Sequence, residues 1–187
     1  MIIDSHAYVG APPVRCGFSE VDISPEWLIR LMRESGIDKM VVMPPANWAP
    51  GCDYRAGTDA VVAAVNRYPD RFIGFSGVTG YCVKHGIADL KYGIGEKGLK
   101  GAGEFKAAPH WSESIVMPIM RFLEKHRAPV LIHFFGSTFF WFKRLEWPSI
   151  LEINCRIYPS SWVIWVELML LLEKDALKRQ RNMIIYS

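Results

Sequence analysis

The sequence lacks several features that would assign it to common functional classes. Its four widely spaced cysteines form no CxxC pair, which excludes a zinc knuckle or a dithiol redox motif. No glycine-rich phosphate loop opens a helix, so the usual signature of a nucleotide-binding sheet is missing. The longest apolar run, Trp162 to Leu172, is interrupted by Glu167 and is shorter than the roughly 20 residues that a bilayer span requires.

The chain also lacks a strong excess of charge. Its 22 basic and 19 acidic residues are mostly dispersed, and the net charge is only +3, which gives no electrostatic footprint for nucleic acid. Asp4 and His6 fall where a secretory signal would need apolar residues. We therefore expect a cytoplasmic protein with free thiols that binds neither nucleic acid nor a membrane.

Apolar residues make up 50% of the 187 residues, which is enough for one sizeable core, and we expect a single domain over residues 1–187. Stretches 10–18 and 88–96 are predicted as a loop and as a poorly defined segment. Helices are predicted at 25–35, from Thr58 to 68, and at about 114–127, 149–158 and 173–181. Apolar strands are predicted at 2–8, 39–43, 72–78, 99–105, 129–133, 162–166 and 182–186.

This alternation of strands and helices predicts a parallel sheet, either doubly wound or closed as a barrel. Polar residues at the carboxyl ends of several strands favour the barrel, since those ends share one mouth. They are His6, Glu104, His133 and Glu167. We predict an α/β fold, a (β/α)8 TIM-barrel-like domain that is incomplete, with about seven βα units and no eighth strand.

Such a chain is shortened at its carboxyl end relative to a full barrel, which has about 250 residues. The first and last strands would then have unpaired edges. We expect either a homo-oligomer formed through those edges or a chain cut from a longer parent.

The first strand contains the strongest site signal. Asp4, His6 and Tyr8 alternate along it, so a regular strand would bring the three side chains together on one face. The alternative is that Asp4 and His6 only satisfy neighbouring backbone groups at the end of a buried strand. Tyr8 either donates a hydrogen bond to a substrate or simply packs.

A metal site is predicted from His6 and His133 at strand ends, together with a carboxylate from a neighbouring strand such as that of Glu104. This mixed nitrogen and oxygen set suits one divalent ion, Zn²⁺ first, with Mn²⁺ or Fe²⁺ as alternatives, or no ion at all. A bound ion would activate water and polarise a carbonyl, which supports hydrolysis or decarboxylation. Alternatively, His133 is a core histidine and Glu104 pairs with Lys106.

Three further residues complete the predicted site. We assign catalytic roles to Glu167, a carboxylate in an otherwise apolar run, and to His110, which could reach the mouth to contact substrate. Glu167 could instead be paired, protonated or exposed. Trp141 lies in an aromatic cluster and is predicted, with Tyr8, to bind substrate; the same cluster could fill a core or form an interaction surface.

Five short motifs occur in order along the chain, and together they resemble the amidohydrolase superfamily. The motifs are Ile3-Asp4-Ser5-His6, Tyr68-Pro69-Asp70-Arg71-Phe72, Gly98-Leu99-Lys100-Gly101, Ala128-Pro129-Val130-Leu131-Ile132-His133 and Tyr158-Pro159. The branch that the chain resembles is the amidohydrolase-related group with the aminocarboxymuconate-semialdehyde decarboxylase-like enzymes. The resemblance implies a (β/α)8 barrel with a divalent metal at its mouth, acting on small organic acids, amides or lactones.

The chain departs from the family pattern at three places. Tyr8 replaces the second histidine of the first-strand His-x-His motif, so that Asp4 would be the substitute ligand, and Glu167 stands where a strand-six histidine is expected. The family's strand-eight aspartate lies beyond Ser187. We therefore expect either a metal-dependent hydrolase or decarboxylase for a small organic substrate, or a non-catalytic or truncated relative that acts in binding or assembly.

Overall fold

The computed structural model describes residues 1–10, 14–16, 19–45, 54–105, 113–132 and 184–186. Its α-helices are α1 (Pro25–Ser35), α2 (Tyr54–Arg67), α3 (Val83–Leu90) and α4 (Glu113–Lys125), and a π-helix (Lys91–Glu96) continues α3. Its strands are β1 (Ile2–Tyr8), β2 (Val14–Cys16), β3 (Ser19–Val21), β4 (Lys39–Met43), β5 (Phe72–Ser76), β6 (Gly101–Phe105), β7 (Val130–Ile132) and β8 (Ile184–Tyr186). Nowhere in these ranges is a helix both long and apolar enough to cross a membrane.

The first βαβ unit forms as its local sequence predicts. Ser24 is the N-cap of α1, where its Oγ accepts the backbone N–H of Trp27, and Pro25 occupies the first helical position. Gly36 ends the helix with a left-handed φ of 70°, a conformation that favours glycine. The apolar run that follows forms β4 over the predicted residues, and its last four residues are buried. Local signals therefore determine this unit.

The main sheet has the strand order β7-β6-β5-β4-β1-β8, and each pair of neighbouring strands in it is parallel. From β1 to β7 its strands follow one another in chain order, without the reversal that defines a doubly wound sheet. The five strands β1, β4, β5, β6 and β7 form a curled half-barrel. This arrangement confirms the predicted α/β fold with an incomplete barrel.

The helices pack on one face of this sheet, as barrel helices do. The outer face forms two apolar cores, one with α1 and α2 and one with α3 and α4. The opposite face has a smaller inner cluster of buried side chains, Val41, Met43, Phe75 and Leu131, against which Ile3, Tyr8 and Ile73 pack. The strands are therefore apolar on both faces because helices cover one and barrel side chains fill the other.

The terminal strand corrects the prediction about open edges. β8 pairs with β1 in parallel, with Ile2 opposite Ile184 and Asp4 opposite Tyr186. β1 therefore has a partner on each side, β4 and β8, and is not an edge strand. In a closed barrel the last strand pairs with the first. β8, which the sequence predicts as the seventh strand of the barrel, occupies that position beside β1.

The Tyr68-Pro69-Asp70-Arg71-Phe72 motif has a structural role. The Arg71 guanidinium donates hydrogen bonds to the backbone carbonyls of Ile37 and Asp38, at 2.8 and 2.9 Å. These carbonyls belong to the turn between α1 and β4, whereas Arg71 precedes β5. The motif thus fastens two successive βα units to each other at the amino-terminal ends of their strands.

Two local predictions were wrong, and one segment that the sequence left undefined is helical. Part of the predicted loop at 10–18 forms an antiparallel hairpin with β3. The helix predicted to start at Thr58 begins at Tyr54 instead, so Thr58 lies inside α2, where its Oγ1 accepts the N–H of Gly77. The segment 88–96 is helical, as the end of α3 and the π-helix. The elements predicted at 149–158, 162–166 and 173–181 lie outside the described residues.

Candidate active site

The candidate site lies on the inner face of the half-barrel, near the carboxyl ends of β1 and β6. Each of these strands has an irregularity at the residue that carries its functional side chain. Bulges of this kind insert one extra residue into a strand and change the direction of the side chains that follow. The two irregularities, rather than regular alternation, place the polar groups of the site.

In β1 the extra residue lies at Ser5 and His6. Asp4 is opposite Met40 on β4, and Ala7 is opposite Val42, so two residues of β1 face one residue of β4. Ile3 and Tyr8 are an odd number of residues apart and yet pack against the same inner cluster. The side chains of β1 therefore do not alternate regularly across residues 5 and 6. The prediction that Asp4, His6 and Tyr8 share one face assumed regular alternation, and that assumption is wrong.

In β6 the extra residue lies at Gly103 and Glu104. Ala102 is opposite Val130 and Phe105 is opposite Ile132, with only Leu131 between them on β7. Ala102 and Phe105 both pack in the outer core with α3 and α4. The backbone of Gly103 lies close to the inner cluster, since a Cβ there would come within 3.3 Å of the Met43 sulfur. The bulge thus brings a carboxylate into the barrel without disturbing the outer core.

The structure brings Tyr8 and Glu104 together. The Tyr8 hydroxyl donates a hydrogen bond to Oε2 of Glu104. Glu104 is only 3% exposed, whereas Tyr8 is half-buried. The His6 ring meets the Tyr8 ring edge-on, with 5.1 Å between ring centroids and an interplanar angle of 79°. The tyrosine therefore links an imidazole on its own strand to a carboxylate from β6.

Asp4 makes a local contact. Its Oδ1 accepts the backbone N–H of His6 at 2.9 Å, which is the backbone-satisfying alternative considered for this residue. Alternation from Ile3, which packs in the inner cluster, places Asp4 on the other face of β1. The Asp4 carboxylate helps to shape the bulge that carries His6.

Among the described residues, the side chains around Tyr8 supply only part of the ligand set that a divalent metal requires. The described ranges contain no group of three histidine, cysteine or acidic residues placed to hold an ion together. The donors near Tyr8 are the imidazole of His6, whose Nε2 is buried, and the carboxylate of Glu104. An ion here would need a further ligand from elsewhere in the chain.

Four predicted site residues lie outside the described residues. They are His110, His133, Trp141 and Glu167. The last described residue before His133 is Ile132, the end of β7, which is the strand next to β6. The sequence indicates Tyr8 and Glu104 as site residues but does not predict the hydrogen bond between them. A glycine directly before the acid on β6 was the one available signal for a bulge there.

The fold is similar to that of several solved enzyme structures. An amidohydrolase II structure matches 71% of this chain and 50% of its own, with 14% identity and a TM-score of 0.53. The 4-oxalomesaconate hydratase of Rhodopseudomonas palustris matches 71% of this chain and 52% of its own, at 22% identity and a TM-score of 0.52. The 5-carboxyvanillate decarboxylase of Novosphingobium aromaticivorans is 26% identical over 57% of this chain and 34% of its own, with a TM-score of 0.50.

The chain spans about half, or less, of the length of these enzymes. Neither a protein-family model nor a curated protein matches the sequence. These similar structures belong to the family whose motifs the chain resembles. The resemblance to the amidohydrolase-related, metal-dependent hydrolases and decarboxylases is therefore confirmed, at the level of the fold.

Proposed function

We propose that this chain carries the site of a metal-dependent hydrolase or decarboxylase that acts on a small organic acid. The observation that supports this most directly is the grouping of His6, Tyr8 and Glu104 on the inner face, near the carboxyl ends of two barrel strands. That end of a barrel is where enzymes with this fold place their chemistry. Two strand irregularities at these residues support a functional rather than a packing role.

The proposed metal is one divalent ion. The similar 5-carboxyvanillate decarboxylase is described with bound manganese, which supports a divalent ion here, and we propose Zn²⁺ or Mn²⁺. The proposed ligands are His6, Glu104 and His133; Asp4, which the sequence also suggested, lies on the other face of β1 and shapes the bulge that carries His6. When bound, such an ion polarises a substrate oxygen and lowers the pKa of coordinated water.

The chain's own residues have distinct proposed roles. Tyr8 orients the substrate from one side of the site, and its hydrogen bond to Glu104 fixes the position of its hydroxyl. The apolar inner cluster, which includes Val41, Phe75 and Leu131, excludes water beneath it and so strengthens polar interactions. His110 and Glu167 remain the proposed proton-transfer residues, and Trp141 the proposed aromatic wall.

Metal analysis of the purified, dialysed protein tests this proposal. We expect about one divalent ion per chain, lost in His6→Ala and in His133→Ala. His85→Ala is the matched control, because His85 is exposed on α3 and should leave the metal content unchanged. A folded protein that binds no Zn²⁺ or Mn²⁺ from added salt contradicts the proposal.

Turnover is then measured with small carboxylic acids and lactones. Release of carbon dioxide indicates decarboxylation, whereas a new carboxylic acid from a lactone or an amide indicates hydrolysis. His6→Ala should abolish either product. Metal binding without any turnover across both substrate classes would support the alternative of a non-catalytic relative.

A further inference from the structure

We propose that the π-helix Lys91–Glu96 is a two-state element, in which Tyr92 holds the π-helical hydrogen-bonding pattern against the α-helical one. The inference concerns the outer layer of helices and is independent of the proposed function. π-helices are rare, and short ones inside α-helices occur frequently at functional sites. Two of its six residues, Gly93 and Gly95, have low α-helical propensity, which brings the two patterns closer in energy.

The backbone can exchange one pattern for the other without losing a hydrogen bond. The Lys97 N–H donates to the carbonyl of Tyr92 at 2.9 Å, and the Leu99 N–H donates to the carbonyl of the next residue, Gly93, at 3.0 Å. In an α-helix with a Schellman ending, each donor would use the following carbonyl instead, that of Gly93 and that of Ile94 respectively. Each donor thus has two alternative acceptors, as a segment with two stable states requires.

The side chain of Tyr92 makes three contacts that hold the π-helix in its present position. Its hydroxyl donates a hydrogen bond to Oδ1 of Asp59 on α2, at 2.6 Å. The guanidinium of Arg55, one turn earlier on α2, lies over the ring at 4.9 Å from its centroid. The ammonium of Lys97 lies over the same ring at 5.0 Å. Both cations are attracted to the face of the ring, so Tyr92 joins α2 to the end of the π-helix.

The contact between Tyr92 and Lys97 depends on the helical pattern. Residues five apart are neighbours in a π-helix, because its hydrogen bond joins them, whereas in an α-helix of 3.6 residues per turn they lie on different faces. Leu99 is buried in the outer core together with Val61 of α2, so both ends of the segment are held against α2. Loss of the Tyr92 contacts therefore releases one end and favours the α-helical pattern.

The segment is connected to the inner face of the half-barrel through β5. Gly93 lies against Ser76, so closely that a Cβ on residue 93 would overlap the serine side chain. Ser76 is fully buried, and Phe75, the residue before it on β5, belongs to the inner cluster. A change of helical pattern around Gly93 therefore alters the support of a strand that lines the candidate site.

NMR couplings across hydrogen bonds identify the acceptor of each amide in the full chain. In the wild type, we expect the Lys97 nitrogen to couple to the carbonyl carbon of Tyr92. In Tyr92→Ala it should couple to the carbonyl carbon of Gly93, while the Lys97 and Leu99 amides stay protected from hydrogen exchange. Asp59→Ala leaves the sequence of the π-helix unchanged and removes one hydrogen bond. It should raise the population of the second state about tenfold, measured by chemical exchange saturation transfer.

Tyr68→Phe is the matched control, because the Tyr68 ring also has a cation over it, Arg67, but follows α2 and is not part of the π-helix. It should leave the couplings and the population as in the wild type. A Lys97 coupling that stays with residue 92 in Tyr92→Ala overturns the inference. So does loss of protection at both amides, which indicates local unfolding, or the absence of a second state in Asp59→Ala.

Discussion

Gly93 of the π-helix lies directly against Ser76 of β5, so closely that a Cβ on residue 93 would overlap both the Oγ and the Cβ of the serine. Ser76 is fully buried, and its hydroxyl donates to the backbone carbonyl of Gly77. Because Ser76 is completely buried, its side chain cannot move away from residue 93. The close approach of this helix to the sheet therefore depends on the missing side chain.

Gly93→Ala should destabilise the protein by about 1–3 kcal/mol, because the added methyl group forces the helix away from β5. The measurement is the free energy of unfolding in urea. Gly95→Ala is a matched control two residues along the same π-helix, where a Cβ would have no heavy atom within 4 Å. Equal losses in the two variants would contradict the packing explanation, and Ser76→Gly should partly restore Gly93→Ala.

The hydrogen bond between Tyr8 and Glu104 should also contribute to stability. Tyr8→Phe removes a donor from a buried carboxylate and should cost about 1–3 kcal/mol in the free energy of unfolding. Glu104→Leu, which has no acceptor for the Tyr8 hydroxyl, should cost less when Tyr8 is already Phe, with a coupling energy of about 1 kcal/mol. Strict additivity in this double-mutant cycle would show that the two side chains do not interact in solution.

We predict that the stability of the fold depends on pH through Asp22, which is hydrogen-bonded to Ser24, the N-cap of α1. Hydrogen bonds from the Ser24 side chain, and then from its backbone N–H, hold the pKa of Asp22 below its ordinary value of 3.8. A carboxyl whose pKa is lower in the folded state stabilises the fold above its unfolded pKa, and this contribution is lost as the pH falls through the folded value.

NMR titration of the Asp22 carboxyl carbon is the corresponding measurement. Ser24→Ala should move the pKa of Asp22 part of the way back toward 3.8, since it removes the side-chain hydrogen bond and leaves the backbone one. The same variant should lower stability by about 1 kcal/mol through loss of the cap to Trp27. An unchanged Asp22 pKa in the variant would contradict this assignment.

Deletion of residues 184–187 should expose the backbone edge of β1, which otherwise pairs with β8. We expect faster hydrogen exchange along β1 and a concentration-dependent increase in apparent mass on size-exclusion chromatography, since a free strand edge is a template for pairing. Deletion of Ser187 alone, which follows the strand, is the control and should change neither. Self-association of the full chain stays a prediction.

Sequence alone determined the elements whose signals are local. The cap, proline and left-handed glycine of α1 delimit that helix, and the apolar run after it forms β4, because these preferences depend on neighbouring residues only. The alternation of strands and helices was enough to predict the barrel class. Because Tyr8 and Glu104 lie near the carboxyl ends of predicted strands, the sequence also indicated both as site residues.

Tertiary structure alone decided how those residues meet. The bulges in β1 and β6 are defined by the pairing of these strands with β4 and β7. A residue is extra only relative to the partner strand, so local sequence preferences cannot predict it. The bond between Tyr8 and Glu104 joins residues 96 positions apart, and the place of β8 beside β1 joins the two ends of the chain. Such relationships are set by packing between distant segments, which a linear pattern does not encode.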